Sequence, residues 1–379
     1  MREVVIVEAV RAPIGRRNGS LSNTLPVHLA AKVLRELIAR AQIDPALIED
    51  VIFGCVTPLG EQGANLTRLA VLQAGLPIEV PAVTLNRMCG SAQQAIHFGA
   101  QAIAAGDMDV VIAGGVELMS RVPLGSDWPK AWPPDFPYPL VNQGLAAEMI
   151  AAQWRFTRSE VDRFAVASHV KAADATKRGD FVTQIVPIDF TAPDGTPGCL
   201  KYDEGIRFEP DPVKMAQLKP AFKPDGIITA GNSSQISDGS AAILLMSLER
   251  AIGLGLKPRA RLVARSVVGS DPVIMLTGPI PATRKALDRA GLTIAQIDAI
   301  EINEAFAPVV LAWQTEIKPE PARVNPTGGA IAHGHPLGAT GAILMTKLLY
   351  HLERTGGRYG LQTMCIGHGM GTATIIERL

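Results

Sequence analysis

Two cysteines and a histidine each lie in a glycine-lined stretch where a reacting group would meet little steric obstruction. Cys89 sits in Asn86-Arg87-Met88-Cys89-Gly90-Ser91-Ala92, after a strand-like run (82–85) and before a helix-like run (93–105). A thiol at a strand-to-helix turn faces the unpaired N–H groups and positive end of the helix, which favour the thiolate. This predicts a nucleophile with a lowered pKa. Gly90 and Ser91 leave room for a substrate carbonyl to approach the backbone. Taken alone, a free cysteine is more often a buried filler than a nucleophile.

The neighbouring chemistry raises the odds of function. Asn325-Pro326-Thr327-Gly328-Gly329-Ala330-Ile331-Ala332-His333-Gly334-His335-Pro336 is a glycine-rich turn leading toward a helix-like run (342–352). His335 therefore also stands near a helix start, while His333 reads as structural or solvent-facing. Cys365 follows a strand-like run (360–364) in Met364-Cys365-Ile366-Gly367-His368-Gly369. Those glycines lead into the β-branched Thr372–Ile376 and not into a helix, which excludes a dinucleotide-binding loop. Asn303-Glu304 after the strand-like run 299–302 could cap the next helix, or hold a water or carboxylate at a site.

Strand-like and helix-like runs alternate along the chain, which predicts an α/β architecture. The periodicity predicts a strand at 4–10, a helix at 27–40 and short buried strands at 51–55 and 110–113. The second half repeats the first. Arg40-Ala41 and Ile48-Glu49-Asp50-Val51-Ile52-Phe53 align without a gap on Arg289-Ala290 and Ile297-Asp298-Ala299-Ile300-Glu301-Ile302. Such a repeat marks a duplicated βα unit. If Cys89 and His335 occupy related places in the two copies, a two-fold relation would bring them to one centre. Between the copies, residues 119–228 are rich in Pro and Trp at their start, where neither a long helix nor a central strand can form. The run from Ser159 to Lys177, with Thr157 or Ser159 as cap, argues that this excursion is ordered.

Bulk properties narrow the class. The 379 residues exceed one ordinary core, and 36 basic against 36 acidic side chains leave no net charge. No global field draws the chain to nucleic acid or an anionic membrane. Cys55, Cys89, Cys199 and Cys365 contain no CxxC pair, so a zinc ribbon or thioredoxin-like site is excluded and no metal is expected. No apolar stretch is long enough for a membrane span, no signal-peptide core opens the chain, and the last three residues are not a peroxisomal signal. A cytoplasmic location is the expectation.

Five blocks, in order and spanning almost the whole chain, resemble the thiolase family. They are Asn86-Arg87-Met88-Cys89-Gly90-Ser91, Thr229-Ala230-Gly231-Asn232-Ser233-Ser234, Asn303-Glu304-Ala305-Phe306, Gly334-His335-Pro336 and Cys365-Ile366-Gly367. The resemblance implies a five-layered αβαβα fold of two duplicated halves. The first half would comprise 1–118 and 229–255, the second 256–379, and residues 119–228 an inserted loop domain that binds coenzyme A. It implies that Cys89 takes the acyl group, His335 activates it, and Cys365 serves as acid and base at the substrate α-carbon. Asn303 would hold an oxyanion-stabilising water, the N–H groups of Cys89 and Gly367 would form a second oxyanion hole, and Arg207 and Ser234 would contact coenzyme A.

The expected activity is that of a degradative 3-ketoacyl-CoA thiolase with ping-pong kinetics. Acyl-CoA and coenzyme A would be substrates, with no separate cofactor, and the chain would be a homodimer or homotetramer. A biosynthetic acetyl-CoA acetyltransferase is the first alternative; a non-catalytic acyl-CoA-binding protein of this fold is the second. Asn142-Gln143-Gly144 stands where the short-chain biosynthetic members carry a His-Met-Gly pattern, and His368 replaces a small or aliphatic residue. The first departure favours larger acyl groups.

Overall fold

The computed structural model describes residues 2–192 and 195–379; Met1, Pro193 and Asp194, the last two within the expected insertion, lie outside the described residues. The first half runs β1 (Val4–Arg11), β2 (Gly15–Arg16), α1 (Pro26–Ala41), β3 (Asp50–Gly54), α2 (Leu66–Ala74), β4 (Ala82–Leu85), α3 (Ser91–Ala105) and β5 (Val110–Leu118). The excursion contributes α4 (Gln143–Gln153), α5 (Arg158–Arg178), the hairpin β6 (Ile188–Thr191) and β7 (Pro197–Leu200), and α6 (Pro212–Ala216). β8 (Ser237–Ser247) and α7 (Leu248–Gly253) return the chain to the first half. The second half is β9 (Ala260–Gly269), α8 (Pro279–Ala290), β10 (Ala299–Ile302), α9 (Ala307–Ile317), α10 (Ala330–His333), α11 (Leu337–Thr355), β11 (Tyr359–Ile366) and β12 (Met370–Arg378).

The strands order as β10-β11-β12-β9-β1-β8-β5-β3-β4, with β2 beside β8. Only two residue pairs, Val5 with Arg261 and Ile6 with Ala260, join β1 to β9, so the sheet consists of two lobes. Each lobe repeats one topology. In the first, β4-β3-β5 run parallel while β8 and β1 follow antiparallel. In the second, Val324 bridges β10, β10 pairs parallel with β11, and β12 and β9 follow antiparallel. This is the duplication that the aligned residues indicated.

Five layers result from where the apolar side chains point. On β5, Val110 and Ile112 face one core with Leu29, Val33, Leu34 and Leu37 of α1. The alternate residues Val111 and Ala113 face a second core with Ile96 of α3 and Leu348 of α11. A strand buried on both faces carries apolar residues throughout, as 110–113 do. α1 forms because those leucines and valines recur on one helical face, Pro26 pre-sets the first turn, and Gln42 ends it in a left-handed conformation. α8 and α9 cover the outer face of the second lobe, where Trp313, Leu287 and Ile300 share a third core. The central layer, α3 and α11, lies between both lobes.

Some boundaries move. The helix expected from residue 342 starts at Leu337, because the glycines and small residues of its first turns are wholly buried against the first lobe. Asn303 and Glu304 do not cap α9, whose cap position is Phe306; both side chains are buried. Thr157, one of the two expected caps, closes α5 in a reciprocal pair with Glu160.

The close approach of α11 to the first lobe depends on absent side chains. A Cβ on Gly115 would lie 2.0 Å from the Gly338 carbonyl oxygen, and one on Gly341 would lie 2.3 Å from the Gln93 nitrogen. Both obstacles are backbone and cannot rotate away. Gly115→Ala is expected to destabilise the protein by about 1–3 kcal/mol, the usual range for overpacking. Denaturant unfolding checks this; an unchanged midpoint would mean that α11 can withdraw from the sheet without loss.

Candidate active site

Cys89 is held by a turn that the sequence dictates almost residue by residue. Met88 adopts φ +45°, an uncommon left-handed conformation. Its N–H donates to Asn86 Oδ1 at 2.8 Å, and its carbonyl accepts from Ser91 Oγ at 2.6 Å. Ser91 Oγ in turn accepts the Arg87 N–H at 2.9 Å. Gly90, where α3 begins, has no space for a Cβ, which would lie 2.4 Å from Ile366 Cδ1. The start of α3 is thus pressed against β11, the strand that carries Cys365. The two cysteines, born in different halves, are brought together by this contact.

The start of α11 is pressed in the same way against the opposite lobe and delivers His335. Gly334 takes φ +112°, and the His335 N–H donates to the Gln235 carbonyl at 3.2 Å. His335 Nδ1 lies 2.6 Å from Thr340 Oγ1. The Thr340 hydroxyl proton is directed to the Pro336 carbonyl at 2.9 Å, so Oγ1 accepts from His335 Nδ1–H. That assigns the unprotonated lone pair to Nε2, the nitrogen facing Asn303 Nδ2 at 3.3 Å. Asn303 Oδ1 is buried and has no protein partner, so it can accept a hydrogen bond from a water or a substrate group. The Asn303 side chain also faces Cys365.

Burial overturns one expectation. The helix start was expected to lower the Cys89 pKa; instead burial pushes the thiol up to about 11. The N–H groups of Gly367 and of Cys89 itself both point at the sulfur and pull the other way, while Glu117 adds to the rise. The dipole effect is outweighed because taking an anion out of water costs more than a helix end returns. Burial likewise raises Cys365, helped by Cys89 and opposed by its own N–H and by Asn303. Burial draws His335 down to about 3, so the imidazole is neutral. At rest the site holds two thiols and a neutral imidazole.

Beside this centre opens a cavity of about 580 Å³. Its walls include Met119, Leu124, Trp128, Phe222, Phe306 and Leu337, with Ser234, Asn142, Gln143 and Gly144 among the polar or small positions. Met119 and Leu337 also belong to the apolar cluster around Cys89. Of the residues expected to bind coenzyme A, Ser234 lines the cavity. Arg207 does not: it is exposed, and its N–H donates to His169 Nδ1 at 3.1 Å. His333 is buried, with Nδ1 2.7 Å from Asp203 Oδ2 and Nε2 2.9 Å from the Thr327 carbonyl oxygen, which leaves His335 as the histidine at the cavity. Sequence reasoning passed over Thr340, Glu117, Arg16 and Arg17. Thr340 in the helical turn after His335 was a readable signal; the reach of Arg16 and Arg17 into the cavity wall was not.

The geometry agrees with comparisons to known proteins. The family model for the thiolase N-terminal domain matches residues 4–133 and 135–249, and that for the thiolase C-terminal domain matches 256–378. The chain belongs to the thiolase family. It is 50% identical to steroid 3-ketoacyl-CoA thiolase FadA6 of Mycobacterium tuberculosis, across 100% of this chain and 95% of that protein. It is 45% identical to a 3-ketoacyl-CoA thiolase of Vibrio parahaemolyticus, across 100% and 98%. The Bacillus anthracis acetyl-CoA acetyltransferase superposes with a TM-score of 0.93 at 40% identity, covering 100% of this chain and 99% of that one. A thiolase is an acyltransferase, and no described helix is long and apolar enough to cross a membrane.

The raised thiol has a measurable consequence. Alkylation of Cys89 by iodoacetamide in the resting protein is expected to rise about tenfold for each pH unit from roughly 7 to 9, since only the thiolate reacts. A rate that levels off below pH 8, followed by mass spectrometry of the labelled peptide, would show a thiolate already present at rest.

Proposed function

We propose that this thiolase is a degradative 3-ketoacyl-CoA thiolase. The observation that carries the reading is an apolar cavity that shares Met119 and Leu337 with the cluster around Cys89 and reaches on to Leu124 and Trp128. Asn142, Gln143 and Gly144 stand in its wall, and they differ from the His-Met-Gly pattern of the short-chain biosynthetic members.

The proposed cycle follows from the protonation states. His335 Nε2 takes the proton from Cys89, and the resulting thiolate attacks the 3-keto carbon. The carbonyl oxygen of the resulting tetrahedral adduct lies close to sulfur, where the N–H groups of Gly367 and Cys89 converge. The carbon–carbon bond breaks, leaving the acyl group on Cys89 and the acetyl-CoA enolate, which Cys365 protonates. Asn303 Oδ1 and His335 Nε2 face the place where a water would stabilise the enolate oxygen. The Cys365 thiolate then takes the thiol proton of coenzyme A, whose sulfur attacks the acyl-cysteine, and the departing Cys89 sulfur recovers its proton from His335. A buried donor at such an oxygen is worth about 3–4 kcal/mol, so these groups supply a large part of the acceleration. The excursion 119–228 supplies Phe222, Gln143 and Gly144 to the cavity, which supports a role in holding the pantetheine arm, with Ser234.

Thiolysis of 3-ketoacyl-CoA substrates of increasing length tests the reading, with ring-bearing acyl groups included because of the steroid-named relative. Turnover is expected on chains longer than acetoacetyl and is expected to fall by at least about 10²-fold in Cys89→Ala. Activity confined to acetoacetyl-CoA would instead assign the acetyltransferase, which the Bacillus neighbour carries as its name. Binding of coenzyme A without turnover on any substrate would favour the non-catalytic protein.

The reading extends to a homo-oligomer. β4 ends the sheet with one side unpaired, and Val83 on it, with Leu69, Leu72 and Ile78 nearby in sequence, is an exposed apolar residue. An exposed edge of this kind is covered in a stable protein. Sedimentation is expected to give a dimer or tetramer, and Val83→Lys to shift it toward monomer. A monomeric parent would refute this.

A further inference from the structure

Two cations in the wall of the cavity take no part in the cycle above. Arg16 and Arg17 both line the cavity that contains His335, yet among the described residues neither guanidinium has a hydrogen bond or ion pair. Their position is fixed from the backbone. Arg16 pairs with Ser237 of β8, the Arg17 N–H donates to the Ile236 carbonyl, and the Asn18 N–H donates to Ser120 Oγ at 2.9 Å. Glu204 accepts from the Arg16 N–H, the Ser20 N–H and Ser20 Oγ, and forms an ion pair with neither guanidinium. An anchored turn thus presents two guanidinium groups without an ion pair to a cavity whose remaining wall is largely apolar.

Which end of the substrate meets them follows from the order of the wall. Ser120, to which the arginine turn is bonded, is the neighbour of Met119, and Met119 packs in the cluster around Cys89. An acyl group on Cys89 therefore has Met119 beside it and the arginine turn beyond. Ser233, Ser234, Ala305 and Phe306 form a different part of the wall, and the Ser234 N–H is bonded to the Ala305 carbonyl. We propose that Arg16 and Arg17 bind a carboxylate at the far end of the acyl group, so that the preferred substrates are 3-ketoacyl-CoA thioesters whose acyl portion ends in an acid. The apolar stretch between Met119, Leu124 and Trp128 holds the intervening carbons, and the paired guanidinium groups accept the charge that this stretch would reject.

This inference rests on the thiolase reading, and the experiment separates the two. Thiolysis is measured on matched pairs of 3-ketoacyl-CoA substrates of equal length, one ending in a carboxylate and the other in a methyl group. In the parent protein, kcat/KM is expected to favour the carboxylate member. In Arg16→Gln/Arg17→Gln the ratio within each pair is expected to fall about tenfold, the loss of charge-assisted hydrogen bonds to one anion. Arg16→Lys/Arg17→Lys is expected to restore part of the ratio, which a general loss of structure would not allow. A ratio that stays constant overturns the proposal. So does an equal loss on both members with a raised KM for coenzyme A, which would assign the arginines to the phosphates of the coenzyme. Turnover of neither member by the parent protein overturns the thiolase reading itself.

Discussion

A single buried carboxylate determines where His335 can stand. Glu117, at the end of β5, accepts hydrogen bonds from the N–H groups of Val56, Thr57 and Gly338 at 2.7, 3.1 and 2.9 Å, and from Gln62 Nε2 at 2.9 Å. Among the described residues no cation pairs with it. Burial raises its pKa, and these donors work against the rise. The carboxylate thereby ties the end of β3, the loop after it and the first turn of α11 to one point. Glycine at 54, 115 and 338 lets the backbones meet there. Each added methyl group would push α11, and His335 three residues before Gly338, away from the centre.

The two halves meet through close backbone contacts at both helix starts. The start of α11 docks on the lobe of the first half, while α3 packs on that same lobe and its cap position, Gly90, also meets Ile366 of the second. Cys89 thereby stands at the seam between the lobes, on the side to which the start of α11 brings His335. Cys365 and Asn303 come from β11 and the end of β10, which flank the second lobe's rim.

The same crowding determines the chemistry. Close packing removes water, and removing water raises both thiols and lowers the imidazole. Each group is thus held in its neutral form, and charge enters the site with the reaction. A second buried network secures the approach to His335 from the other side. Arg11 and Asp203 pair at 2.7 Å, Asp203 holds His333, and Asp203 Oδ1 also accepts the Ile14 N–H at 2.8 Å. Because Asp203 lies in the excursion while Arg11 and His333 belong to the two halves, this one acid joins all three parts of the chain. Its folded pKa is lowered, burial being outweighed by Arg11 and His333, so its contribution to stability is present above the ordinary carboxylate range and is lost on acidification.

Local sequence carried the elements, the duplication and the cysteine and histidine segments that the fold brings to one centre. Val110 to Ala113 could only be a strand covered on both faces, Thr157 with Glu160 marked a helix start, and Cys89-Gly90-Ser91 marked a turn with room for a substrate. Those features depend on neighbours along the chain, and neighbours along the chain are what a sequence displays. The tertiary structure decided the rest. It left His335 and not His333 at the cavity, buried the Asn303 side chain instead of setting it at a helix cap, and reversed the expected pKa of Cys89. It also placed Arg16 and Arg17 in the cavity wall and Arg207 outside it. Each of these depends on desolvation and on contacts among β3, β5, α3, α11 and β11, segments hundreds of residues apart in some pairs. Burial is a sum over atoms from all of them, and no stretch of sequence contains that sum.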